Sequence, residues 1–288
     1  MFRPRDSHDL RLLQANLVIE PQAQVRWIHD PFGNSIAIAS FGEGPVAALE
    51  FLSPIQLEHY GMPPDVPMIE DYARKLPFSY LAEEAPDLAR YVERHYPDPN
   101  AVVSGWARQF LGGVGGDQTF AARSRMCKGI QETLRYAMRF ESGTQSPATT
   151  LESGVGTCRD HALLMMEGAR ALGLASRFIT GYLYDPALDE AAGGTAAPAF
   201  AHAWMEAYLP GAGWIEFDPT NGMIGSERLI RVAVGRDPEQ AMPINGTFTG
   251  ATHVAVNPVV DVKVKTLPVA AAPEVLGLTP TFGLPERM

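Results

Sequence analysis

Ser153-Gly154-Val155-Gly156-Thr157-Cys158-Arg159-Asp160 is a glycine-rich loop that breaks into an apolar run, Ala162 to Leu174, and its reading decides the fold. The change of character predicts a helix starting at or beside Cys158. Thr157 suits the N-cap, where a side-chain oxygen satisfies an unpaired backbone N–H, and Gly173 lies where the helix should stop. Ala162, Leu163, Leu164, Met165, Met166, Ala169 and Leu172 leave this helix apolar on most sides, so it belongs in a core. A cysteine at such a terminus meets unpaired N–H groups and the positive end of the helix dipole, which favour thiolate, the nucleophilic form, over thiol. Taken alone, the stretch fits equally a Cys158 that is a small buried hydrophobe.

A second stretch supplies partners for a thiol. In Ala201-His202-Ala203-Trp204-Met205-Glu206-Ala207-Tyr208-Leu209 the alternation is strict: Ala203, Met205, Ala207 and Leu209 form one face, and His202, Trp204, Glu206 and Tyr208 the other. Pro210 to Gly213 reads as a turn, and Trp214 to Asp218 alternates in the same way before Pro219 ends the strand. If the two strands pair, His202 and Asp218 share a face as direct or diagonal neighbours; a slip of one residue would separate them. Cysteine attack needs a base for the thiol proton and a third group to orient that base. Cys158, His202 and Asp218 fill those roles in order, with the Cys158 backbone N–H available to an oxyanion.

Neighbouring residues carry weaker signals. His161 lies three residues after Cys158, on the same side of the helix, which suits packing or support more than the role of base. Trp204 and Trp214 are candidates to line a substrate cleft or to pack the sheet. Cys158-x-x-His161 with His202-x-x-x-Glu206 has the residue types of a metal site, but His202 and Glu206 lie too far apart on a strand for shared coordination, so no metal is expected.

Composition bounds the rest. The chain has 288 residues, 46% hydrophobic and 19% charged, which describes a globular protein with ample core. A net charge of −10 disfavours a nucleic-acid partner. Two cysteines, Cys127 and Cys158, make no disulfide framework. The opening Met1-Phe2-Arg3-Pro4-Arg5-Asp6 does not resemble a signal peptide, and no apolar run is long enough to span a bilayer. A cytoplasmic location, with no membrane partner, is the expectation.

Three regions are expected. Residues 1–84 read as a β-rich, sandwich-type domain: Val25 to His29 and Ser35 to Phe41 flank the turn Asp30-Pro31-Phe32-Gly33-Asn34, and Ala47 to Leu52 and Ile55 to Tyr60 follow. Residues 85–265 begin with helical patterns over Asp87 to His95, Val102 to Leu111 and about Phe120 to Phe140, and with one turn at Thr149 to Glu152. Past the Cys158 helix come strands at Ala175 to Tyr184, Phe200 to Leu209, Gly213 to Asp218, Leu229 to Val234 and Thr252 to Val264. Asp185 to Pro198, rich in Ala and Gly, reads as a mobile flap or a surface insertion. Residues 266–288 read as an extended Pro-rich tail.

Three blocks together resemble the transglutaminase-like superfamily of papain-type cysteine enzymes: Gly156-Thr157-Cys158-Arg159-Asp160-His161-Ala162 with its continuation to Phe178, Gly181 and Tyr182; His202 to Tyr208; and Gly213 to Thr220. Pro21 through Phe41 is similar to the β-rich N-terminal domain of the bacterial branch, and Arg231 to Asp237 and Gly246-Thr247-Phe248 to its usual continuation. The resemblance implies an α+β fold, with helices packed on an antiparallel sheet in a papain-like core behind a β-sandwich-type domain. It implies Cys158 as nucleophile, His202 as base and Asp218 as orienter, acting on a peptide or protein through a thioester. Hydrolysis is the leading activity; amine transfer (protein cross-linking) and a non-catalytic binding scaffold are the alternatives. His161 stands where the family often has another aromatic. No run of paired carboxylates has calcium-loop spacing, so no cofactor is implied. Substrate identity and oligomeric state are left open.

Overall fold

The computed structural model describes residues 2–42, 44–61, 67–112, 118–139, 143–191, 197–249 and 259–267. Near the N-terminus come six short strands, β1 (Leu10–Ala15), β2 (Val18–Glu20), β3 (Gln24–His29), β4 (Ser35–Ser40), β5 (Glu50–Leu52) and β6 (Ile55–His59). They pair antiparallel as β1 with β6, β2 with β5 and β3 with β4, giving three two-stranded ribbons. Strands of three to six residues punctuated by Pro21, Pro45 and Pro54 build ribbons of this width. The turn between β3 and β4 is fixed by its own side chain: Asp30 Oδ1 accepts the N–H groups of Phe32 and Asn34 at 2.9 and 2.8 Å.

The larger region opens with helices α1 (Ala85–Val92), α2 (Val102–Arg108) and α3 (Gln118–Thr133), a short strand β7 (Arg135–Tyr136), α4 (Pro147–Ser153), β8 (Val155–Gly156) and α5 (Cys158–Ala171). Then come β9 (Ser176–Leu183), α6 (Pro186–Ala191), β10 (Ala197–Leu209), β11 (Gly213–Asp218), β12 (Met223–Ile224), β13 (Leu229–Gly235) and β14 (Val262–Val264). The main sheet has the order β12-β11-β10-β9-β13, antiparallel throughout, with β14 pairing to the start of β10. Mixed helix and sheet is therefore the observed class.

Helix α5 lies on one face of this sheet. Leu163, Met166 and Ala162 pack with Phe178 of β9, Ala203 and Met205 of β10 and Phe217 of β11, all essentially without solvent contact. Each such side chain contributes about 1.5–3 kcal/mol on burial, which pins α5 to the centre of the sheet.

The other face, read from its alternation as the polar one, is buried as well. There Trp204, Ile179, Leu229 and Val234 form a second apolar cluster, against which Phe32 of the β3–β4 turn packs. Beside it, Glu206 bridges Arg177 and Arg231, and Arg231 also reaches Glu216 and, from the N-terminal strands, Asp9 at 3.3 Å. Burial and the neighbouring Glu206 hold Glu216 well above the usual carboxylate range. The carboxylates of Glu206 and Asp9 are compensated by the arginines they pair with, so the N-terminal region meets a sheet face that carries paired charge.

Four boundaries depart from the expectations. Helix α3 ends at Thr133 instead of near Phe140, because Arg135 and Ala137 donate their N–H groups to Gly154 and Gly156, making β7 a parallel partner of β8. Within Asp185 to Pro198, residues 186–191 form a helix started by Asp185, whose carboxylate accepts the Ala187 N–H, and 197–198 already belong to β10; residues 192–196 lie outside the described residues. Among the described residues of the stretch Thr252 to Val264, Val262–Val264 form a strand; 251–258 lie outside the described residues, as does the tail from 268 onward.

Candidate active site

Cys158 is the first residue of α5, as its sequence context predicts. Thr157 caps the helix, and the cap is reciprocal: the Thr157 side chain accepts the Asp160 N–H while Asp160 Oδ2 accepts the Thr157 N–H at 2.9 Å. Asp160 is fully buried and also accepts the Gln145 N–H at 2.7 Å and a contact from Arg139 at 3.3 Å. Burial alone would raise its carboxyl, but these donors outweigh burial and hold it below the usual range. The helix terminus carrying the thiol is thus anchored from three chain segments. Upstream, Gly154 adopts φ 66°, the left-handed turn that ends α4 and aims the loop at Cys158.

His202 and Asp218 come together on the hairpin. The register sets Met205 opposite Phe217, so Asp218 falls opposite Trp204 and diagonal to His202. His202 Nε2 lies 2.8 Å from Asp218 Oδ2. Burial pulls His202 down, but its hydrogen bonds to Asp218 and to the Cys158 side chain, with their charges, raise it to about 10. With Nε2 engaged by Asp218, Nδ1 is the ring nitrogen left for Cys158. The β10–β11 pairing runs from Met205 to Leu209 and so stops short of His202, leaving its flank to the helix terminus.

Two residues without a sequence signal of their own complete the acid. Thr220 and Asn221 donate their backbone N–H groups to Asp218 Oδ1 at 3.0 and 3.3 Å, and Asn221 Nδ2 donates to Oδ2 at 2.7 Å. An Asp-x-x-Asn spacing after a strand is the pattern that would have pointed to Asn221. Tyr136 was likewise missed. It is half exposed, at 51%, and its hydroxyl is raised by burial and by the charge of Cys158, which marks it as a neighbour of the thiol. Its place on β7 beside β8 brings it there.

The cleft candidates separate. His161 is buried, with Nδ1 3.4 Å from Thr220 Oγ1. Burial lowers it and His202 lowers it further, against the pull of Asp160 and Asp218. Trp204 has no solvent contact and stacks against His202 from the interior, with ring centroids 6.1 Å apart. Trp214 sits four residues before Asp218 on β11, roughly 13 Å along the strand. Its ring meets Arg177 at 4.1 Å, Tyr91 and Tyr208. Cys127 is fully buried, and burial together with Asp218 holds its thiol far above the usual range. Among the described residues no group of three His, Cys, Asp or Glu could hold a metal ion, and no helix is long and apolar enough to cross a membrane.

Comparison with known proteins fits this arrangement. Residues 104–219 match the transglutaminase-like superfamily and residues 1–58 the bacterial transglutaminase-like N-terminal region. It is 35% identical over 107 residues to the uncharacterized protein ML0607 of Mycobacterium leprae, and 33% identical over 135 residues to the uncharacterized protein Rv2569c of Mycobacterium tuberculosis. These matches cover 37% and 43% of this chain and 37% and 42% of those proteins, so the chain spans about two fifths of the length of the curated relatives it matches. The fold is similar to a solved structure from Cytophaga hutchinsonii, provisionally described as a cysteine protease. The TM-score is 0.64 at 18% identity, over 83% of this chain and 76% of that one.

Proposed function

We propose that the chain is a cysteine-dependent amide or peptide bond hydrolase with Cys158 as nucleophile, His202 as base and Asp218 as orienter. The observation that supports it best is the buried His202, whose Nε2 lies 2.8 Å from Asp218 Oδ2 and which Asp218 and Cys158 together raise. With its proton already passed to His202, Sγ of Cys158 attacks the substrate carbonyl carbon. The oxyanion forms beside the helix terminus, where the Cys158 N–H is available. His202 then protonates the leaving amine, the C–N bond breaks, and a thioester remains on Cys158. Water, deprotonated by His202, hydrolyses the thioester and restores the thiol.

A peptide or protein substrate, and the division into residues 1–84, 85–265 and a tail from 266, belong to the same proposal. Amine transfer shares every step up to the thioester. The test is to incubate the protein with a mixed peptide and amine library and follow Cys158 by mass spectrometry. An acyl adduct on Cys158 that resolves to free acid supports hydrolysis, and one that resolves to a new amide makes the chain a transferase. The absence of any adduct, with His202→Ala indistinguishable from the parent, leaves a binding scaffold.

A further inference from the structure

We propose that the turn Asp30–Asn34 of the N-terminal region is a positioning element for His202, gripping the far end of the cross-strand row whose other end, Trp204, backs the His202 ring. The row is read directly from the pairing. Val234 of β13 lies opposite Ile179 of β9, and Ile179 opposite Trp204 of β10. Val234, Ile179 and Trp204 therefore form one line across three strands, and Trp204 at its end backs the His202 ring.

Asn34 holds the free end of this line. Its side-chain amide takes both backbone groups of Val234: Nδ2 donates to the Val234 carbonyl at 2.6 Å, and Oδ1 accepts the Val234 N–H at 2.8 Å. Asn34 is 4% exposed, so these bonds form away from water, where leaving either Val234 group unpaired would be costly. Asn34 Nδ2 is also held by Asp30 Oδ2 at 2.8 Å, and Arg5 donates to the carbonyls of Phe32 and Gly33. The turn is thus rigid before it grips. β13 is the edge strand of the main sheet, and the Asn34 amide pairs with its open side much as a further strand would.

Phe32 adds a second contact to the same line. It packs on the cluster of Ile179, Trp204, Leu229 and Val234. Trp204 in turn stacks on His202 at an interplanar angle of 25°, within the range of offset ring pairs. A Cβ on Gly181 would approach Trp204 Cη2 to 2.7 Å, so the indole lies tight over β9 with no room to slide that way. Displacement at the turn is therefore passed to Trp204, the ring behind His202. The groups acting electrostatically on His202 are Asp218 and Cys158, with His161 nearby on α5. The carboxylate of Asp30 is spent inside the turn, so the turn acts through position and not through charge.

The inference rests on the reading of Cys158, His202 and Asp218 as reacting groups, and its test separates the two. Asn34→Ala and Phe32→Ala are compared with Ile19→Ala, which removes a buried side chain from β2 in the same N-terminal region without touching the turn. The readouts are thermal stability, the NMR titration of the His202 ring and the pH dependence of Cys158 alkylation by iodoacetamide. Misplacing a reacting group by an ångström can cost ~100-fold. We expect Asn34→Ala and Phe32→Ala to slow Cys158 alkylation about tenfold at neutral pH and to lower the His202 midpoint. Ile19→Ala, matched for lost stability, should change neither. Phe32→Leu keeps apolar bulk and should recover most of the Phe32→Ala loss, and it serves if Asn34→Ala does not fold. Unchanged midpoints and rates in both turn variants, or equal shifts in Ile19→Ala, overturn the inference. If instead His202→Ala leaves Cys158 alkylation unchanged in the otherwise intact protein, the triad reading itself has failed.

Discussion

Replacing Asp218 by Asn perturbs the most constrained polar contact of the site. Both carboxylate oxygens are acceptors: Oδ1 for two backbone N–H groups, and Oδ2 for His202 Nε2 and Asn221 Nδ2. An amide offers one oxygen and one NH2, so either orientation sets a donor against two donors in a fully buried site, at about 1–3 kcal/mol. The orientation that spares the backbone bonds forces the His202 proton onto Nδ1, where it can no longer accept from Cys158. His202 loses the carboxylate that outweighs its burial, and falls from about 10 to below its ordinary 6.5. At 1.36 kcal/mol per pH unit, the wild-type preference for the cation is worth roughly 4–5 kcal/mol at most. The sign follows from the raised native value. This stabilisation is fully present below 6.5 and is lost as pH rises through about 10. The measurement is Tm of parent and Asp218→Asn from pH 6 to 10.5, with the His202 ring followed by NMR. The stability gap should be widest at the acid end and close towards the alkaline end, while acylation of Cys158 falls about 10³–10⁴-fold. A variant whose His202 still titrates near 10, with a gap that does not change with pH, would refute the assignment of Asp218 as its partner.

Other consequences are as direct. Cys158 is partly exposed and Cys127 is buried with a raised thiol, so iodoacetamide at neutral pH should label Cys158 at least ~100-fold faster; equal labelling would remove the case for a reactive thiol. Asp160→Ala deletes the acceptor that ties Thr157, Gln145 and Arg139 to the start of α5, and should cost about 3–5 kcal/mol by denaturant titration, whereas Thr157→Ala should cost nearer ~1 kcal/mol. Gly181→Ala would set a methyl 2.1 Å from the Ile230 carbonyl oxygen, and we expect an unfolding free energy lower by more than about 2 kcal/mol. A neutral result there would mean that β9 and β13 pair less tightly than described.

What was legible in the sequence was local in the chain. The start of α5 followed from Thr157, Cys158 and the apolar run, and the β10–β11 hairpin from strict alternation on both sides of one turn, because each signal is one contiguous stretch of chain. The diagonal relation of His202 and Asp218 followed from the same alternation. Residues set by distant partners were not legible. Leu134, Ala137 and Met138 continue a helical stripe, yet β8 claims the backbone at Arg135 and Ala137, and Met138 is left 76% exposed. Glu206 and Glu216 fall on one face of the alternation, which marks a face without saying what covers it; Arg231 and Asp9 supply the cover. Asn34 reads as a turn residue, and its second role depends on Val234, 200 residues away.

That separation orders events in the life of the chain. Cys158, His202 and Asp218 are all synthesised before β13 begins at Leu229. A nascent chain released at Asp218 would hold Cys158, His202 and Asp218 and still lack the edge strand that Asn34 grasps. The β3–β4 ribbon, complete by Ser40, waits until Leu229 for the strand it will meet. The loop between them must close before any contact rewards it. Docking of the N-terminal ribbons accordingly follows the synthesis of all three residues, and the contact behind Trp204 is made only once β13 is in place.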